Sequence, residues 1–172
     1  MKSINTLLLE IQQGNQASLK HLYDSTRFAV FASIIPYLYD QQLAEDVMQD
    51  TYLKVLDRID SYQSSENGMN WLLTIAKHTA FDLIKHRKHE SQVDREVLED
   101  IIPSDKDAYD LASPIILAAK KVLEKDEQTI LFLYALGEYK HREIAVMLNI
   151  PIGTVLWKYQ AAIKKMKEVL TP

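Results

Sequence analysis

The chain reads as all-α, two small helical domains joined by an acidic linker, the C-terminal one containing a helix-turn-helix. Three observations predict this. Its 172 residues contain only four Gly and five Pro, so few positions interrupt a helix. Apolar residues recur at helical spacing almost everywhere except 60–70 and 90–112. Charge is unevenly spread. Residues 1–89 carry −1, residues 90–114 carry −6 and residues 115–172 carry +3, so one short segment supplies the whole acidic excess of a chain with net charge −4. The expected division is 1–89, a linker at 90–112, and 113–172.

Ile4, Leu7, Leu8 and Ile11 form one face of a short helix that Gly14 stops. Asn15 is expected to cap the next helix, whose apolar stretch Phe28 to Ile35 suits the most buried member of a bundle and ends before Pro36. Asp40 caps a third helix to about Ile59. Its Ala44, Val47, Met48, Thr51, Tyr52, Val55 and Ile59 make a core face, opposite Asp46, Gln49, Asp50, Leu53 and Asp57. Residues 60–70 are a loop by composition. A fourth helix, from about Trp71 to His89, buries Leu72, Ile75, Ala76, Ala80 and Leu83 and ends in the basic run 85–89.

Within the linker, Val93, Val97 and Leu98 suggest a turn or two of helix. Ser113-Pro114 is a helix start. Helices are predicted at about 114–124 and 126–136, the second capped by Asp126 and stopped by Gly137. A short helix from His141, a turn at Asn149 and a longer helix at 152–168 complete a four-helix unit. On the last helix Val155, Tyr159, Ala162, Ile163, Met166 and Leu170 lie on one side; Trp157, Gln160, Ala161, Lys164 and Lys167 lie opposite, with Lys158 and Lys165 on a flank. An apolar back and a lysine-bearing front suit a helix laid in the major groove of DNA. Lysines opposite a core are also ordinary for a surface helix, so the short turn before Pro151-Ile152-Gly153-Thr154-Val155 is what favours DNA.

Zero Cys excludes disulfides and thiolate metal sites. No run reaches the roughly 20 apolar residues of a membrane span and no signal-peptide pattern opens the chain, so no membrane insertion and a cytoplasmic location are expected. Glu45, Asp46 and Asp50 lack the spacing of a di-metal bundle, and His86 with His89 extends the basic run. With no phosphate-cradling Gly-rich loop and no nucleophile elbow, an enzyme is not expected, and neither a cofactor nor a metal.

Ala44-Glu45-Asp46-Val47-Met48-Gln49-Asp50-Thr51-Tyr52-Leu53-Lys54-Val55, Trp71-Leu72-Leu73-Thr74-Ile75-Ala76-Lys77-His78, Asp82 with the basic run after it, and the Pro-x-Gly-Thr-Val helix resemble bacterial RNA polymerase sigma factors. The closest group is the two-domain extracytoplasmic-function (ECF) sigma factors of the sigma-70 family. The resemblance covers nearly the whole chain. It implies that the protein binds core RNA polymerase and directs promoter-specific initiation through the −10 and −35 elements.

Asp46, Gln49, Asp50 and Leu53 then match the surface that binds the clamp coiled coil, although an acidic stripe by itself reads as a solvated face. Ser61, Tyr62, Ser64, Ser65 and Asn67 match a loop that holds an extruded −10 base, with Lys77, His78, Lys85, Arg87 and Lys88 facing phosphates. Trp71 fits either a core anchor or a stacking platform, and Phe81 is equally open. Arg142, Thr154, Leu156, Trp157, Lys158, Gln160 and Lys164 match the −35 reader, in a unit that also contacts the polymerase flap. The acidic linker, with Asp94, Glu96, Glu99, Asp100, Asp105, Asp107 and Asp110, is compatible with nucleic-acid mimicry or with a solvated tether. In the free protein, the resemblance and the charge pattern together suggest that tether and basic ends associate. An anti-sigma factor is an expected partner.

Departures from the family are local. Leu156-Trp157-Lys158 stands where the family usually has Lys-Ser-Arg, His78 replaces a frequent Asn, and Gly68-Met69 occupies a position that tends to be aromatic. These leave open a sigma-like paralogue or helical interaction protein that binds polymerase or a regulator without driving initiation.

Overall fold

The computed structural model describes residues 2–90 and 113–171, with side chains described up to Arg87 in the first stretch. Among these residues there are eight α-helices, one 3-10 turn and no strand. The N-terminal unit holds α1 (Ile4–Gln12), α2 (Ala17–Leu38), α3 (Gln41–Arg58), a 3-10 turn at Ile59–Ser61, and α4 (Gly68–Glu90). The C-terminal unit holds α5 (Pro114–Val122), α6 (Lys125–Ala135), α7 (His141–Leu148) and α8 (Ile152–Leu170). The turn expected at Val93, Val97 and Leu98, and the acidic linker carboxylates, lie outside the described residues.

The apolar stretch of α2 is the centre of the molecule. Every residue from Ala29 to Ile35 is buried, and so is Pro36. Pro36 does not end the helix. Tyr39 closes it in the left-handed region (φ +48°), where its N–H still reaches the Ile35 carbonyl at 3.1 Å. The cost is one lost bond, since Pro36 has no N–H for the Ala32 carbonyl, and the burial of the whole apolar stretch outweighs it. Thr26 and Tyr52 share a buried hydrogen bond of 2.8 Å between α2 and α3, and burial pushes the Tyr52 phenol well above its usual range.

Helix starts follow local chemistry, with three corrections. Asp40 accepts from the Leu43 N–H at 2.8 Å, as an N-cap should. Asn15 does not cap α2; Gln16 stands at that position and makes no side-chain bond. Helix α4 begins at Gly68 rather than at Trp71, because Asn67 accepts from the Asn70 N–H at 3.0 Å. Asp126 is not the cap of α6. The helix starts one residue earlier behind Glu124, whose N–H donates to Glu127 Oε2 at 2.9 Å. Glu127 is nearly buried and also takes Lys165 of α8 on both oxygens, at 2.7 and 2.8 Å. One carboxylate thus joins the start of α6 to the middle of α8.

The two units pack on each other. Helix α2 lies against α6 and α4 against α7, so one continuous set of buried apolar residues runs through both. Two independent bodies are what the linker composition suggests; the long apolar run of α2 has more surface than its own unit covers, and α6 takes the remainder. The contact seen between the units is direct helix packing; the tether of the expected association lies outside the described residues. Polar contacts at the seam each contribute about 0.5–1.5 kcal/mol. The apolar contact of α2 with α6 contributes more, at about 25 cal/mol per Å² removed from water.

Candidate polymerase- and DNA-binding surfaces

Three surfaces carry the candidate residues. The first is the outer face of α3. The predicted core face, Ala44 to Ile59, is buried throughout. Asp46, Gln49, Asp50, Leu53 and Asp57 are all exposed, Leu53 at 60%. Among the described residues, Asp46, Gln49 and Asp50 make no side-chain hydrogen bond or ion pair, so their oxygens are free for an outside donor. Lys54, on the flank, is instead held by Asp82 of α4 at 3.1 Å, and that bond keeps the Asp82 carboxyl below its ordinary range.

The second surface is the loop 61–67 with the exposed side of α4. Ser61, Ser64 and Ser65 are exposed, and Ser61 is tied back to the Arg58 carbonyl at 2.7 Å. Tyr62 departs from expectation. Its ring is buried (3% exposed), tilted against Trp71 with centroids 5.1 Å apart, and its hydroxyl donates to the Glu66 carbonyl at 3.3 Å. Packing against Trp71 and the core outweighs exposure for a ring that can still satisfy its hydroxyl from the loop. In this conformation Tyr62 shapes the loop and offers no free face, and Trp71 is its anchor. Asn67 is half-buried and donates from Nδ2 to the Val146 carbonyl of α7 at 2.5 Å. Lys77, His78, Lys85 and Arg87 are exposed; the Lys88 side chain lies outside the described residues. Phe81 is 42% exposed and meets Tyr37 edge-on at 5.0 Å.

Sequence reasoning missed what positions this loop. Gln12 of α1 donates from Nε2 to the carbonyls of Ile59 (2.9 Å) and Tyr62 (3.1 Å). Asn5 donates to the Glu66 carbonyl at 3.1 Å and accepts from the Gly68 N–H at 2.9 Å. Helix α1 therefore holds the loop at both ends. Gly68 permits this approach, since a Cβ there would fall 2.6 Å from Asn5 Oδ1 and 2.9 Å from Leu8. The available signal was two amides, Asn5 and Gln12, seven residues apart on the face that carries Leu8.

The third surface is α8 with the start of α7. Asn149 takes the left-handed turn (φ +54°), and the Glu143 carboxylate accepts from the Lys140 N–H at 2.7 Å. Val155, Ala162 and Met166 form the buried back of α8, flanked by half-buried Tyr159 and Ile163, whereas Leu170, the last residue of the helix, is 47% exposed. In front, Trp157 is 67% exposed, and Leu156, Gln160 and Lys164 are exposed, as is Arg142 on α7. Thr154 and Lys158 turn toward the other unit. Both line a cleft of about 270 Å³ shared with Tyr37, Asn70 and Lys77, and Lys158 pairs with Asp126 at 3.4 Å.

These surfaces define a class: a helical protein with a helix-turn-helix in one unit and an open acidic face in the other, without a group of three or more Asp, Glu or His able to hold a metal among the described residues. Residues 22–90 match the family described as Sigma-70 region 2, and residues 114–166 match Sigma-70, region 4. The chain belongs to the sigma-70 family, in its ECF group, and is a sigma factor that directs promoter-specific transcription initiation by RNA polymerase. It is 27% identical over 158 residues to the ECF RNA polymerase sigma factor SigC of Mycobacterium tuberculosis, covering 90% of this chain and 84% of the relative. To SigW of Bacillus subtilis it is 24% identical over 166 residues, covering 88% of each. The fold is shared with CnrH in complex with the cytosolic domain of CnrY (TM-score 0.68, 18% identity, 98% and 97% of the two chains). It is also shared with RpoE in complex with the anti-sigma factor NepR from Bartonella quintana (TM-score 0.59, 24% identity, 88% and 94%). Helix α1 precedes the matched residues. No helix among the described residues is long and apolar enough to cross a membrane.

Proposed function

We propose that residues 1–89 dock on the polymerase clamp through Asp46, Gln49, Asp50 and Leu53. The observation that carries this is the unpartnered acidic and amide stripe of α3, centred on an exposed leucine. Ionised acceptors facing a basic helical hairpin make charge-assisted hydrogen bonds, and Leu53 adds apolar contact at their centre. The loop from Ser61 to Asn67 then receives a non-template −10 base, with Ser61, Ser64, Ser65 and Asn67 as hydrogen-bonding groups, while Lys77, His78, Lys85, Arg87 and Lys88 neutralise phosphates. Tyr62 supports the loop from beneath in this reading. Melting requires no catalytic step by the chain; captured bases shift the duplex–bubble balance.

Residues 113–172 place α8 in the major groove of the −35 element. Arg142, Lys158 and Lys164 meet phosphates, Gln160 and Thr154 reach toward bases, and Leu156 with Trp157 presents an apolar edge suited to a thymine methyl. The same unit contacts the flap. A cytoplasmic location follows from work on chromosomal promoters, and an anti-sigma factor is a further partner, as the complexes of the two structural relatives suggest. In vitro transcription with core polymerase and a promoter library tests the assignment. Specific starts dependent on this chain are expected. Core binding without any start would leave a polymerase-bound paralogue as the better reading.

A further inference from the structure

We propose that the first half of α8 selects its promoter through thymine methyl groups, so that the −35 element of this chain carries at least two adjacent thymines in the major groove. This deepens, and rests on, the reading above that lays α8 in that groove. At 100° per residue, Ile152, Gly153, Leu156, Trp157 and Gln160 fall with Lys164 and Lys167 inside one arc of about 140°, and every one of them is exposed. The arc changes character along its length. From 152 to 160 it offers Ile152, Leu156 and Trp157, a glycine and an amide, without a charge. The cation of that stretch, Lys158, lies on the flank and pairs with Asp126. Cations return on the arc at Lys164 and Lys167. This order matters because the N-terminal residues of a helix-turn-helix reader meet base edges, whereas later ones meet the backbone.

The half that meets bases is therefore the apolar half, and here the chain departs from the family pattern. In the major groove the base that presents an apolar group is thymine, whose C5 methyl stands beside the O4 acceptor. Trp157, 67% exposed, matches both parts of that edge, since indole has an apolar face and a donor-only N–H. A helical side chain leans over the turn before its own Cα. For Trp157 that turn holds Gly153, where nothing stands within 4 Å of the place a Cβ would take, so no side chain one turn back covers the ring. Leu156 and Ile152 carry no polar side-chain atom. Set against cytosine N4, adenine N6 or guanine O6, they leave a desolvated group unpaired, a penalty the thymine methyl avoids. Ile152 and Leu156 stand about 6 Å apart along α8, nearly two steps of a duplex that rises about 3.4 Å per pair, so the patch faces more than one base. Arg142, Lys164 and Lys167 around it suit a polyanion and not an apolar protein surface.

Holoenzyme formed from the full chain and core polymerase, offered promoter fragments randomised over the −35 region, should retain those with two adjacent thymines. In a retained fragment, replacing these thymines by uracil removes the methyls and leaves pairing intact. Affinity should fall about fourfold per methyl, the value of one buried carbon. Leu156→Ala with Trp157→Ala, both exposed and so sparing the fold, should bind more weakly and lose the response to uracil, with an unchanged salt slope. Lys164→Ala should keep the uracil response and flatten the log–log salt slope by about 0.9. Equal affinity for thymine and uracil fragments would overturn the methyl reading while leaving α8 on DNA. A uracil penalty that persists in the folded double variant would do the same. Self-association of the free chain that the double variant abolishes, without any uracil response, would assign the patch to a second copy. Retention with no sequence preference at −35 would instead remove the −35 assignment itself, and the methyl reading with it.

Discussion

The outer faces of α3 and α8 have the same architecture, an amphipathic helix with a polar front over an apolar back, yet the folded protein treats them differently. On α3, Asp46, Gln49 and Asp50 have no partner among the described residues. On α8, Lys158 is held by Asp126 and shares a cleft with the other unit, while Trp157 stands free. The face proposed for polymerase is ready, and the face proposed for DNA is partly engaged. The difference points to an order of events: polymerase first, promoter second.

The largest test of this contrast is on α3. Gln49→Ala with Asp50→Ala should weaken core polymerase binding about 10- to 100-fold, since a hydrogen bond to a charged group contributes about 1.5–3 kcal/mol. Thermal stability should move by no more than about 0.5 kcal/mol, as both residues are exposed. Fluorescence anisotropy with labelled protein measures the first and calorimetry the second; unaltered affinity removes the clamp assignment. On α8, Lys158→Ala should lower affinity for a −35 duplex and flatten the log–log salt dependence by about 0.9, one phosphate contact's worth. If neither changes across a salt titration, α8 does not lie as proposed.

Asp126→Asn probes the same contrast from the opposite direction. An exposed pair contributes about 0.2–1 kcal/mol, so freeing Lys158 should strengthen −35 duplex binding by up to about fivefold. A loss of binding would show that Asp126 positions Lys158 and does not restrain it. The smallest effect is on α1. Lys2 donates to Glu10 at 2.5 Å, as does Ser18, and these bonds hold the Glu10 carboxyl below its ordinary value of 4.5. A depressed carboxyl adds stability above its unfolded pKa and loses it as pH falls through the folded one. Glu10→Gln should therefore narrow the stability gap between pH 7 and pH 3, measured by denaturant melts; an unchanged gap would show that the bonds add nothing.

Much of this was legible in the chain because it is local. Helical spacing identified the buried and exposed sides of α3, and Asp40 and Asn149 announced a cap and a left-handed turn through their own side-chain chemistry. Other features were illegible because they join distant residues. Nothing near Tyr62 in sequence says that Trp71 will cover it, and nothing near Asn5 or Gln12 says that they will hold the 59–68 loop.

The helical class, the faces of α3 and α8 and the family motifs are thus written in the chain, since each follows from residues within a few turns of one another. Which polar groups stay free is settled only by packing. Asp50 remains open, whereas Asn67 is engaged because α4 is set on α7, Lys158 because α8 is set on α6, and Tyr62 is buried because the loop folds its ring back on Trp71. Whether a hydrogen-bonding group is available depends on its neighbours in space, and periodicity along the chain carries no record of them.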